Sequence, residues 1–212
     1  MRAMVLHQGT SRLVLEHLLL PECGPQQVRL RVEACGVCRT DLHIVDGDLK
    51  HPTLPLIPGH QIVGRISEIG ADVRDLVLGQ RVGVPWLGHT CGHCKYCRTS
   101  HENLCDAPGF TGYTRNGGFA EECLADAAYV FALPDAGDPV RLAPLLCAGL
   151  IGYRSYRMTG DAKRLGFYDF GAQVFARDLG AVWAGGSDQT PDVALDAAIL
   201  FAPVGALVSP AR

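Results

Sequence analysis

Long apolar runs are missing from this sequence. Pro or Gly interrupts every hydrophobic stretch well short of the roughly 20 residues a spanning helix needs, so no membrane-embedded protein is expected. The opening MRAMVLHQGT has no apolar core followed by a small-residue cleavage site, which argues against secretion and for a cytoplasmic location. Basic clusters are missing too. Lys and Arg number 19 against 22 acids, and the two signs are interspersed to a formal charge of -3. No stripe is left for a phosphate backbone, and nucleic acid is a poor partner. Internal repeats and low-complexity tracts are absent. What remains is a globular composition of 212 residues, 48% of them hydrophobic, enough for one large domain or two modest ones.

Cysteine is present in excess. Nine of them in a cytosolic chain of this size suggest metal before disulfides, and the odd count agrees. Four fall in CGHCKYCRTSHENLC as C-x2-C-x2-C-x7-C: Cys91, Cys94, Cys97 and Cys105. Four thiolates this close can close a tetrahedral shell on Zn(II), leaving no position for a substrate, so such a site would be structural. Disulfides need an oxidising compartment, and an iron–sulfur cluster would use the same four thiolates. His93 and His101 lie in the same loop and read as solvent-facing residues, because four sulfurs already suffice.

The first two-thirds of the chain is β-rich. AMVLH, LVLEHL, QVRLRVEACGVC, HQIVGRISEIG, QRVGV, FAEECLA and YVFAL are strand candidates punctuated by Gly, Pro and Asp. Short strands so closely spaced indicate a barrel-like or sandwich-like unit. From Pro139 the texture changes: PVRLAPLLCAGLIGYRSYRM has apolar residues at helical spacing, and KRLGFYDF follows as a buried strand. A helix-like QVFARDLGA and strand-like AVWAG and VALDAAILFAPVG complete an α/β alternation. A boundary near Ala148 divides the chain into residues 1–148 and 149–212. The second part holds about two βαβ units, where a complete dinucleotide domain has two halves of three strands each.

ACGVCRTDLH and PGHQIVG carry a second, weaker signal, since a lone C-x-x-C can be redox-active or merely buried. Taken in order, GVCRTDLH, PGHQIVG, the four-cysteine lobe, NGGFAE and APLLCAG resemble the medium-chain zinc-dependent alcohol dehydrogenases, over nearly the whole chain up to Gly171. The resemblance implies a β-rich GroES-like catalytic domain followed by a shortened α/β Rossmann-like nucleotide domain. It implies two zinc ions per chain, NAD or NADP as hydride carrier, an alcohol, aldehyde or ketone as substrate, and a homodimer or homotetramer.

Carried over residue by residue, the catalytic zinc ligands fall on Cys38, His60 and Cys147. Two Cys and one His leave a fourth position open, the arrangement a catalytic zinc needs. Asp41 would orient His60 through its other ring nitrogen. Thr40 and His43 match a proton relay, although His43 also reads as a surface helix residue. Arg39 matches a pyrophosphate contact or is an ordinary exposed arginine. Trp86 matches a wall of the substrate pocket or is a core aromatic.

Gln61 stands where the motif usually has Glu. A neutral amide cannot serve as an anionic ligand, but it can hydrogen-bond. Cys23, Cys35 and Cys123 have no role in the pattern and read as free thiols.

In the glycine turn that should cradle the nucleotide, Asp169 replaces the first glycine and Gly171 survives as the cofactor-binding candidate. The chain then passes from Ala172 straight to QVFARDLGA, where the pattern expects a helix and a second strand. Two readings follow: a working dehydrogenase, or a truncated or degenerate zinc-binding relative with intact metal sites and no competent nucleotide site. A metal-free reductase of the same superfamily would have no need of four clustered cysteines, and a zinc-ribbon nucleic-acid binder conflicts with the negative charge.

Overall fold

Strands β1 (Arg2–Leu6) and β2 (Leu13–His17) pair as an antiparallel hairpin at the start of the chain. In β3 (Gln27–Gly36) the alternation of QVRLRVEACG buries Val28 and Leu30 while Arg29 and Arg31 take the other face, the period-two pattern of a strand with one dry side. The seven-residue helix α1 (Arg39–Val45) follows, and then β4 (Gln61–Ile69). β4 reads as nearly continuous apolar sequence because both its faces are covered. Ile62 and Ile66 pack with Val28, Leu30, Val82 and Val84, while Val63 packs with Ala143 and Leu146 on the other side. Each such buried aliphatic side chain contributes roughly 1.5–3 kcal/mol.

Next come β5 (Arg81–Val84), β6 (Leu87–His89), β7 (Gly109–Phe110), β8 (Glu122–Asp126) and the two-residue β9 (Phe131–Ala132). Five strands form one antiparallel sheet in the order β8-β3-β4-β5-β9, and β6 with β7 forms a separate pair. The β3–β4 register shifts between Val32 and Ala34, so a bulge re-aims the end of β3 just before α1.

The computed structural model describes residues 1–19, 21–168, 183, 189–190 and 192–200. The chain clusters into two units, Met1–Cys147 and Ala148–Arg212. The apolar run from Pro139 is not one helix. It breaks into α2 (Pro139–Leu142), a 3-10 turn (Ala143–Leu146) and α3 (Ala148–Met158). Pro144 has no N–H to continue the ladder, and Cys147 leaves helical geometry at φ -130, ψ -77.

In the second unit, β10 (Leu165–Tyr168) and β11 (Ala197–Leu200) pair in parallel, as Rossmann-like α/β strands do. Asp169, Gly171 and the QVFARDLGA helix lie outside the described residues. Among the described residues no helix is long and apolar enough to cross a membrane.

Candidate metal centres

Cys38 caps α1. Its backbone is extended at φ -128, ψ 173, its sulfur accepts the Thr40 N–H at 3.3 Å, and its own N–H donates to Asp41 Oδ2 at 2.8 Å. The result is a capping box built with a thiol. Asp41 is 2% exposed, and its other oxygen accepts the N–H of Gly59 and of His60 Nδ1, each at 3.2 Å. With the proton on Nδ1, the Nε2 lone pair of His60 is free, and it points at Cys38 Sγ, 3.4 Å away.

Gly59 makes this approach possible. It sits at φ +97, and a Cβ there would lie 2.6 Å from Phe119 and 2.8 Å from the Cys35 sulfur. The NGGFAE segment is packed as closely: a Cβ on Gly117 would lie 2.0 Å from the Gly59 carbonyl oxygen.

Cys147 completes the group, since one donor atom from each of Cys38, His60 and Cys147 lies within 4.8 Å of the others. Tetrahedral zinc with ordinary bond lengths holds a sulfur and a nitrogen donor about 3.5 Å apart, so the observed 3.4 Å suits such an ion. Burial, followed by the neighbouring Cys38 sulfur, pushes the Cys147 thiol up to about 11. Two thiolates side by side in a partly buried site repel each other, and a divalent cation between them removes that repulsion.

The four cysteines of the lobe also converge, with all four sulfurs within 4.8 Å of one another. Cys94 and Cys97 sulfurs are 3.5 Å apart and those of Cys91 and Cys97 4.0 Å, bracketing the roughly 3.8 Å that tetrahedral zinc sets between two thiolates. Backbone N–H groups converge on the sulfurs. Cys91 and Ala107 donate to Cys105, Cys94 donates to Cys91, and Cys97 donates to Cys94.

The N–H groups of Cys97 and Asp106 draw Cys94 down to about 6. Against the pull of the Thr90 hydroxyl, desolvation and the Cys94 and Cys105 sulfurs push Cys97 up to about 11. His93 and His101 are exposed and turn Nδ1 to the carbonyls of Cys91 and Thr99, so neither joins the shell.

The other candidates divide. Trp86 stands edge-on to His60 at 5.1 Å and walls the three-donor site. Sequence reasoning missed its partners: Phe110 and Tyr113 stack on it at 5.0 and 5.7 Å. The available signal was the aromatic pair in GFTGY, just beyond the lobe. Thr40 joins the site through its N–H on Cys38, whereas His43 is half-exposed and engages Asp48 through Nδ1 at 2.7 Å. No hydrogen bond links Thr40 with His43 among the described residues. Arg39 is exposed in the first turn of α1 and makes no ion pair with a described residue. Cys123 is buried and Cys35 partly so; burial lifts both thiols to about 12, as inert core thiols require.

A groove of about 980 Å³ borders the lobe, and part of its polar lining is already paired. Asp126 is shared there by His89 at 2.6 Å, Arg115 at 2.6 Å and Gln27 at 3.1 Å.

A GroES-like β unit followed by parallel α/β strands, with one four-sulfur and one Cys–His–Cys cluster in the first unit, defines the class of medium-chain dehydrogenases. The family model for the alcohol dehydrogenase GroES-like domain matches residues 24–135. This chain therefore belongs to the medium-chain zinc-dependent alcohol dehydrogenase family.

It is 43% identical over 224 residues to the Mycobacterium tuberculosis protein named probable alcohol dehydrogenase AdhA, covering 91% of this chain and 65% of that one. It is 44% identical over 161 residues to an alcohol dehydrogenase of Geobacillus stearothermophilus, covering 76% of this chain and 48% of the relative. Among solved structures, acetophenone reductase of Geotrichum candidum in complex with NAD superposes with a TM-score of 0.81 at 25% identity, covering 99% of this chain and 72% of that one. The chain thus spans about half to two-thirds of the length of these curated relatives.

Proposed function

We propose that this protein interconverts alcohols with aldehydes or ketones, exchanging a hydride with NAD or NADP and releasing one proton per alcohol oxidised. We further propose one zinc ion in each cluster. The observation that carries the reading is the convergence of three donors, Cys38, His60 and Cys147, beside Trp86 and separate from the four-sulfur lobe. When bound by those three, zinc would supply a Lewis acid that polarises the substrate oxygen and eases its loss of a proton.

The chain's own residues do the rest. Asp41 holds the tautomer and direction of His60. Trp86, backed by Phe110 and Tyr113, excludes water from one side and offers an apolar face to the substrate's carbon skeleton. Thr40 and His43 would pass the substrate's proton outward, with Asp48 steadying the His43 ring; a bound substrate or water must bridge them. Arg39 and Gly171 would meet the nucleotide. Association into a homodimer or homotetramer belongs to the same proposal and is read directly by sedimentation.

One observation favours a second reading, in which the metal clusters organise the first unit but the nucleotide is poorly held: the sequence has Asp169 at the position where the family pattern has glycine. The test of the main reading is to load the protein with zinc, count the metal and follow reduced nucleotide while alcohols are screened. Cys38→Ser is expected to abolish turnover and remove the zinc of the three-donor site while the lobe keeps its own. Loss of both metals together would show that the two sites are not independent.

A further inference from the structure

Tyr113 is the aromatic residue whose polar end the proposed reaction leaves without a task. The ring separations, 5.0 Å from Trp86 to Phe110, 5.7 Å from Trp86 to Tyr113 and 6.4 Å from Phe110 to Tyr113, place Phe110 and Tyr113 on the same face of the indole. On opposite faces their separation would approach the sum of the two stacking distances. One face of Trp86 is therefore backed by two rings.

The Tyr113 ring is pinned at both ends. Its main chain is fixed in the GFTGY turn, where the Phe110 carbonyl accepts the N–H groups of Tyr113, Thr114 and Arg115 at 3.2, 3.0 and 3.0 Å. Gly112 seats that turn against the backbone beside His60: at φ +73, it lies so close that a Cβ would be 2.7 Å from the Gly59 nitrogen. The phenol hydroxyl donates to the Lys50 carbonyl, and the Tyr113 carbonyl accepts the Thr53 N–H at 3.1 Å. Between those two ties His51 takes φ +68, a costly conformation that persists where flanking contacts enforce it. Upstream, the His43 carbonyl accepts the N–H groups of Asp48 and Leu49 at 2.9 and 3.3 Å. Leu49, Leu54, Trp86 and Tyr113 all pack on one buried cluster, Leu6, Ile44 and Leu56.

We propose that Tyr113 is a positioning residue that sets substrate size: pinned by the Lys50 carbonyl, its ring holds Trp86 forward and keeps the pocket selective for small, unbranched alcohols. This rests on the reading that Trp86 walls a substrate pocket beside the three-donor site. A branched or cyclic substrate needs the indole to give way, and the space behind it is filled by Phe110 and Tyr113. Phe110 has no polar atom on its ring, so the Tyr113 hydroxyl is the tie that fixes this backing.

Tyr113→Phe removes the hydroxyl and keeps the stack. Two measurements on the zinc-loaded protein test it. Hydrogen exchange at the amides of Asp48, Leu49 and Thr53 is expected to speed up about fivefold, the effect of one ordinary hydrogen bond on local opening. The ratio of kcat/KM for cyclohexanol to that for ethanol is expected to rise, mainly through a lower KM for cyclohexanol, with zinc content unchanged.

Faster exchange with an unchanged ratio would mean that the hydroxyl serves the fold alone, and it overturns the positioning role. Unchanged exchange overturns the hold of Tyr113 on residues 48–53 and the inference with it. A wild-type protein that keeps these amides protected yet oxidises no alcohol overturns the dehydrogenase reading itself, and the specificity assigned to Tyr113 falls with that reading.

Discussion

Asp41 holds a carboxylate at 2% exposure because both its oxygens are used: one accepts the Cys38 N–H, the other the Gly59 and His60 N–H groups. Burying an unpaired charge would be prohibitive; hydrogen-bonded, it ties the helix cap, the glycine turn and the imidazole into one unit. Asp41→Asn keeps the shape and loses the charge. Zinc at the three-donor site is expected to bind about 10–100-fold more weakly, with the lobe unaffected, as measured by competition with a chelator. Equal weakening at both sites would mean that Asp41 serves the fold of the whole unit. At this scale the lobe cysteines were legible from their spacing, and Cys38, Asp41, His60 and Cys147 through the family resemblance. The stacking of Phe110 and Tyr113 on Trp86 was not legible, because it depends on where β6 and β7 meet.

Among the elements, α1 is too short to be stable alone, and its caps and buried Ile44 hold it in place. The lobe between β6 and β7 is the opposite case, with Cys105 as its one buried hydrophobic and two short 3-10 turns. Donor convergence replaces a core there. Zinc in such a shell is worth roughly 10–16 kcal/mol of apparent binding energy in small peptides, so losing one ligand should unfold the lobe locally. Cys94→Ser is expected to lose the lobe zinc and make residues 91–105 sensitive to limited proteolysis, while the three-donor site still takes metal. A protease-resistant lobe in the zinc-free variant would show that packing alone suffices. The break of the 139–158 run at Cys147 was hidden from helical periodicity, because apolar spacing survives a kink whereas the backbone ladder does not.

For the whole molecule, the first unit carries both metal-type clusters and the second carries parallel strands of a nucleotide-binding type. If the carboxylate of Asp169 came within 4 Å of a nucleotide phosphate, the repulsion would be about 4 kcal/mol, nearly three decades of affinity. Asp169→Gly is therefore expected to tighten NADH or NADPH binding, by up to about a thousandfold, in a fluorescence titration of the zinc-loaded protein. An unchanged Kd would place the residue 169 side chain away from the phosphates.

The sequence by itself brought out the four-cysteine lobe, because its cysteines lie within fifteen residues, whereas Cys38, His60 and Cys147 were named through the family resemblance. It also determined the strands of the sheet, through alternation and glycine punctuation. Only the tertiary structure decided that Cys147, more than eighty residues beyond His60, leaves a helical run to bring its sulfur near Cys38 and His60. Those contacts are set by the β3–β4 register and by the packing of Val63 against Ala143 and Leu146, and contacts between distant segments leave no periodic trace in the chain.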